Sequence, residues 1–264
     1  MTGRLPQVPT LLAWLAGCLC GIAVLGNAIA LEAQPGSAKS AAHGPALDPF
    51  FDDLEKRTFM YFWDTANPRN GLVPDRYPGP SWASIAAVGF ALTAYPIGVE
   101  RGYVTRAAAR ARVLTTLRFF AATTEQHGFF YHFIDMQHGE RRNRSEVSTV
   151  DTALLLAGVL VCQSYFDGED PQEAEIRRLA DDIYGRVDWV WAEHWSSAVV
   201  MGWTPEDGFS HASWLGYNEA MLVYILALGS PTHAARADAW RVWTSTYDQQ
   251  WGTLYGQTHL SFAP

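Results

Sequence analysis

The chain has 264 residues, 48% hydrophobic and 17% charged, which is apolar material enough for a sizeable core and excludes intrinsic disorder. A formal charge of -8 leaves no excess of Lys and Arg to neutralise a phosphate backbone, so nucleic acid is excluded as an expected partner. Aromatic residues are abundant, with 11 Trp, 11 Tyr and 13 Phe. They can fill a core, and their flat faces also suit stacking on sugar rings.

The first thirty residues read as a signal peptide: Arg4 precedes the uncharged apolar run Leu11 to Ala30, and Ala28-Ile29-Ala30 offers small residues before a cut after Ala30. A lipobox reading of Leu15-Ala16-Gly17-Cys18, with Cys18 lipidated, is the alternative, and retention of the apolar run as a membrane anchor is a third. The expectation is periplasmic or secreted export with no stable membrane span after cleavage. Cleavage removes Cys18 and Cys20 and leaves Cys162 alone, so no intramolecular disulfide is expected. No CxxC, HExxH or comparable spacing occurs, and neither metal nor cofactor is expected. Residues 31–47, rich in Ala, Gly and Pro, read as a flexible spacer ahead of a domain at 48–264.

Helices follow in chain order. Asp48-Pro49 is a cap followed by proline at the first helical position and opens a helix over 49–64. A second, 82–98, has apolar residues on every side and is expected to be buried all round. Thr105 caps a third, 106–122, with one apolar stripe; Ser148 caps a fourth, 149–166, apolar throughout Ala153 to Cys162. Asp170-Pro171 starts a one-faced fifth helix, with Ile176, Leu179, Ile183 and Val187 in phase. The sixth, 215–228, is apolar all round, and the seventh, 236–247, is one-faced. Strand-like segments occur only in connections, at Phe129 to Asp135 around the turn Gln137-His138-Gly139 and at Val199 to Trp203.

Fully apolar helices thus alternate with one-faced ones, the pattern of a toroid of helical hairpins with inner and outer layers. The expected fold is all-α, a toroid of helical hairpins with small β insertions in the long loops. Connections into inner helices (65–81, 123–147, 189–213) are long and those leaving them are short, so the long loops should gather at the N-terminal ends of the inner helices. A site is expected there.

That face collects Asp64, Asp75 and Arg76 from the first connection. The second brings His132, Asp135, the arginines 141, 142 and 144, Glu146 and Asp151. The third brings Trp195, Trp203, Glu206, Asp207, Trp214, Tyr217, Asn218 and Glu219. Carboxylates beside aromatics suit a carbohydrate, the former for hydroxyls and acid–base work and the latter as platforms. Plainer readings stand beside these: Asp151 completes an S-x-x-D cap with Ser148, the arginines pair with acids on a solvated loop, and His132 is a satisfied structural histidine. Glu219, placed in the first turn of a buried helix, is costly there unless paired or functional.

The stretches FFDDLEKRTFMYFWDTANPRNGLVPDRYP, SIAAVGFALTAYPIGVERGYVTR, GFFYHFIDM, SEVSTVDTALLLAGVL, MGWTPEDGF, GYNEAMLVYILALGSPTH and WTSTY run in order through residues 50–247. They resemble the bacterial glycoamylase-like domain family, which includes endo-β-1,2-glucanases and a region of cyclic β-1,2-glucan synthases. The resemblance implies an α/α six-hairpin barrel, or toroid, and hydrolysis of a β-linked glucan by inversion; the chain is expected to be exported and to act as a monomer. Glu219 would be its general acid, and Glu146 and Asp151 would work in the subsites. It also implies a ring of twelve helices, of which seven are read here, so the expected barrel is incomplete and the catalytic base is unassigned. The alternative function is a catalytically inactive fragment that at most binds glycan.

Overall fold

The computed structural model describes residues 48–262 apart from Thr124. The expected signal peptide and spacer lie outside the described residues. The principal helices are α1 (Pro49–Thr65), α2 (Ile85–Glu100), α3 (Arg106–Ala122), α4 (Thr149–Tyr165), α5 (Pro171–Gly185), the short α6 (Trp189–Glu193) and α7 (Met221–Gly229). Two short pieces follow, α8 (Ala239–Trp243) and α9 (Tyr247–Gln250), separated by a 3-10 turn, where one seventh helix was expected. Among the described residues no helix is long and apolar enough to cross a membrane.

Local chemistry explains the helix starts. Asp48 accepts the Phe50 amide (2.9 Å) with Pro49 at the first helical position, and Asp170 with Pro171 does the same for α5, accepting the Gln172 amide at 2.8 Å. Ser148 accepts the Asp151 amide at 3.2 Å and starts α4. No capping side chain precedes α7, which begins at Met221 rather than near 215.

The helices form two layers. In the inner one, α2 and α4 meet backbone to backbone through glycines: a Cβ on Gly158 would sit 2.2 Å from the Gly89 carbonyl oxygen. α7 also packs on α4, while α3 packs on α5 in the outer layer. Around them lie the fully buried Tyr95, Leu117, Phe120, Leu155, Ile183, Trp189 and Trp243.

The inner helices are not buried all round. Phe90 (54% exposed) and Ile97 of α2, Val161 of α4 and Ile225 of α7 (51%) lie on the open face of each helix. On α2 the less buried positions run Ala86, Phe90, Thr93 and Ile97; on α4 they run Val150, Leu154, Ala157 and Val161, one helical face in each case. High hydropathy therefore overstates how far these helices are enclosed.

In the outer layer Glu173, almost wholly buried, accepts two hydrogen bonds from the Arg106 guanidinium (2.8 and 2.9 Å) and one from the Gly168 amide (2.8 Å). Removing Arg106 strips a buried carboxylate of its main partner. Arg106→Ala is expected to lower stability by about 1.5–3 kcal/mol in urea unfolding, with Arg106→Lys recovering part of it.

Candidate functional site

Very short strands stitch the long connections together over the N-terminal ends of the inner helices. β1 (Ala83–Ser84) pairs antiparallel with β2 (Phe133–Ile134), and β3 (Val147–Ser148) pairs with β4 (Gly202–Thr204), which in turn pairs with β5 (Gly208–Phe209). The Ile85 amide donates to the His132 carbonyl (3.2 Å), the His132 amide to the Glu146 carbonyl (2.9 Å), and the Thr149 amide to the Met201 carbonyl (3.2 Å). The strands expected from sequence thus pair with distant connections. A separate hairpin, β6 (Trp251–Leu254) with β7 (Gln257–Leu260), follows α9.

This stitching brings His132, Glu146 and Asp151 together. Imidazole Nδ1 lies 2.9 Å from Glu146 Oε1, and Nε2 lies 3.5 Å from Asp151 Oδ1. The Ser148 hydroxyl donates to Asp151 Oδ2, so Ser148 both caps α4 and holds this carboxylate. His132 stacks on Phe133, ring centroids 3.8 Å apart.

Burial pulls the His132 pKa down, but the hydrogen bond its ring donates to Glu146 and the charges of Asp151, Glu146 and Asp75 outweigh it, and the value ends above the ordinary imidazole range. The hydrogen bond accepted from His132 holds Glu146 below the usual carboxylate range, whereas burial pushes Asp151 above it. A raised histidine pKa means that folding favours the protonated ring. Its contribution is present in full below the unfolded value of about 6.5 and is lost as pH rises through the folded value. The stability advantage of wild type over His132→Gln is therefore expected to shrink as pH rises from mildly acidic to alkaline in paired denaturant titrations. The three ligand atoms lie within 4.8 Å of one another, a spacing a cation could bridge. Both imidazole nitrogens already face carboxylates, so a cation would compete with the ring protons.

Glu146, Ser148 and Asp151 line a cavity of about 550 Å³ whose aromatic walls are Trp203, Phe209 and Trp214. Trp214 is fixed: its indole N–H donates to Thr149 Oγ1 (2.9 Å) and its carbonyl accepts the Tyr224 hydroxyl (2.9 Å). The turn between β4 and β5 is strapped down by Arg141, whose guanidinium makes two hydrogen bonds to Glu206 (2.7 and 2.8 Å) and lies over the Tyr131 ring. Arg142 pairs with Asp135, and Arg144 lies 3.7 Å from Asp207. The arginine run therefore follows its plainer reading.

The other residues singled out from sequence are more scattered. Asp75 is close enough for its charge to act on His132, while Arg76 pairs with Asp75 (3.1 Å) and is largely exposed. Asp64 is exposed near the end of α1. Asp135 accepts from Arg142 and from the Gln137 and His138 amides, which hold it well below the usual carboxylate range and close its own turn. Asn218 is buried, accepting from the Ala220 amide and donating to the Leu215 carbonyl, so it shapes the approach to α7.

Glu219 departs from expectation. It precedes α7, is exposed, and lines a second depression of about 350 Å³ with Tyr217, Asn218 and Phe262. The cost of burying it therefore does not arise. The connection from Trp214 to Glu219 runs from the larger cavity to this depression. Sequence reasoning missed Phe209, Ser210 and His211 of the larger cavity. The signal was the turn Pro205-Glu206-Asp207-Gly208 between two aromatics, with Gly208 at φ 75°.

Helical hairpins in two layers, with a cleft at the N-terminal ends of the inner helices, give the chain an α/α toroid fold. The "Glycoamylase" family model ("Putative glucoamylase") matches residues 211–264. The chain is 28% identical over 214 residues to an exo β-1,2-glucooligosaccharide sophorohydrolase (non-reducing end) of Parabacteroides distasonis, covering 76% of this chain and 29% of that protein. A solved "putative glucoamylase" of Bacteroides uniformis ATCC 8492 superposes with TM-score 0.77 at 27% identity, over 84% of this chain and 57% of that one. An endo-β-1,2-glucanase from Chitinophaga pinensis, in complex with sophorotriose and glucose, gives TM-score 0.75 at 25% identity, over 82% and 56%. In sequence and in fold the chain resembles the glycoamylase-like family, and it spans little more than half of these solved chains and under a third of the curated relative.

Proposed function

We propose that this chain forms the glycan-binding face of an exported glycoside hydrolase acting on β-1,2-linked glucan. The observation that carries the reading is the cavity in which Glu146, Ser148 and Asp151 face Trp203, Phe209 and Trp214. Aromatic faces take the apolar sides of sugar rings, and the carboxylates take their hydroxyls. The names of the relatives support the β-1,2 linkage.

Glu219 is assigned the general acid, by its place in the motif GYNEA, and inversion is the proposed stereochemistry. Inverting enzymes hold their two carboxyls about 6.5–9.5 Å apart to admit a water. The oxygens of Glu146 and Asp151 approach within 4.8 Å and share one imidazole, so together they suit substrate positioning better than the acid–base pair. Asp151 is a second candidate for proton donor, because burial raises its pKa and it lines the cavity. The apolar run Leu11 to Ala30 supports export, periplasmic or secreted, and the chain is proposed to act as a monomer.

The test is incubation with linear β-1,2-glucan while reducing ends and the anomer of the first product are followed by NMR. Release of the α-anomer supports inverting hydrolysis. Glucan binding without cleavage would favour the non-catalytic alternative, and absence of both would reject the reading.

A further inference from the structure

Trp195 is 79% exposed, more than any other tryptophan among the described residues, yet the chain around it is firmly held. It follows α6, whose last residue Glu193 is fully buried and accepts the Arg236 amide at 2.9 Å. The Ser196 amide donates to the Glu193 carbonyl (3.0 Å), and the Val200 amide to the Ala192 carbonyl (2.9 Å). Between them His194 adopts φ 49° and ψ −95°, a conformation that costs a non-glycine residue energy and persists only where its surroundings impose it.

The imposed conformation places His194 against two rings. Its imidazole lies 3.8 Å from the Phe209 centroid and 3.2 Å from the Trp195 centroid. Phe209 is a wall of the cavity and packs on Trp191 (4.8 Å), which in turn meets Trp203 (6.1 Å). An unbroken run of ring contacts therefore leads from the cavity wall to an indole standing in water. A mobile surface tryptophan would need neither the anchored Glu193 nor the strained His194; a platform for a rigid ring-shaped ligand needs both, because fixing it beforehand lowers the entropy lost on binding.

We propose that Trp195 is an outlying glucosyl-binding platform of this cleft, stacking a sugar unit of a glucan chain that extends beyond the cavity, with His194 as its positioning residue. The inference rests on the glucan reading above. It makes recognition depend on chain length, since a short oligosaccharide fills the cavity without reaching Trp195.

Calorimetric titration with a β-1,2-linked trisaccharide and octasaccharide tests it. Trp195→Ala is expected to weaken the octasaccharide about five- to tenfold and the trisaccharide by less than about twofold, with Trp195→Phe keeping most of the long-chain affinity. His194→Gly, which accepts the backbone but loses the ring contact, should reproduce the long-chain loss. Equal effects on both ligands, or none on either, would overturn the platform while leaving the cavity reading intact. If wild type binds neither sugar, or Trp203→Ala leaves trisaccharide binding unchanged, the glucan reading itself fails and the platform falls with it.

Discussion

Glu219→Gln is expected to reduce hydrolysis of β-1,2-glucan by about 10²- to 10⁴-fold with little change in KM, the loss typical of removing a general acid. The change keeps size and an ability to hydrogen-bond and removes the ionisable proton. Because Glu219 is exposed at the approach to α7, with no side-chain hydrogen bond among the described residues, the fold should be indifferent to it. A glucosyl fluoride, whose leaving group needs no proton, should narrow the deficit. Asp151→Asn is the necessary comparison. It disturbs Ser148 and His132 as well, so a rise in KM and an altered pH profile are expected. If Asp151→Asn is the variant rescued by the fluoride and Glu219→Gln is not, the proton donor is Asp151.

The largest effect on stability is expected from Gly158→Leu. Replacing a mid-helix glycine by leucine would normally help by up to about 1 kcal/mol through helix propensity. Here a Cβ would meet the Gly89 carbonyl oxygen at 2.2 Å, and one on Gly89 would meet the Leu154 carbonyl oxygen at the same distance. Neither obstacle is a flexible side chain, so α2 and α4 must separate. Overpacking of this kind costs about 3 kcal/mol or more, and the sign is decided by the clash. Gly185→Ala, where an added Cβ would make ordinary contact with Thr232 Cγ2 at 3.8 Å, should be neutral or slightly stabilising. Urea midpoints for the two variants measure the contrast.

The helices with chemical punctuation were legible in the sequence. Asp48-Pro49, Thr105, Ser148 and Asp170-Pro171 mark the starts of α1, α3, α4 and α5 because a short polar side chain must satisfy the first free amides. α7 was misplaced because no side chain caps it, and hydropathy alone extended it upstream across Glu219. The exposure of Phe90 and Ile225 was hidden for a related reason: hydropathy records what a helix would bury, while exposure depends on what packs against it. For the candidate site, sequence reached Glu146, Asp151, Trp203 and Trp214 but could not join His132 to the carboxylates. That contact comes from the His132 amide reaching the Glu146 carbonyl, fourteen residues along the chain, and two-residue strands carry no alternation from which to read a partner.

Those two-residue strands have a kinetic consequence. The pairings Ala83 with Ile134 and Val147 with Trp203 bridge long stretches of chain, whereas each helix closes its hydrogen bonds locally. Loop-closure entropy must be met before such distant pairs contribute anything, so the individual helices can form while the cavity wall is still open. The molecule then has a stage in which its helices have formed and the wall of the cavity has not. Amide exchange at Ser84, His132 and Ser148, read against the interior of α4, would time the interval between the two.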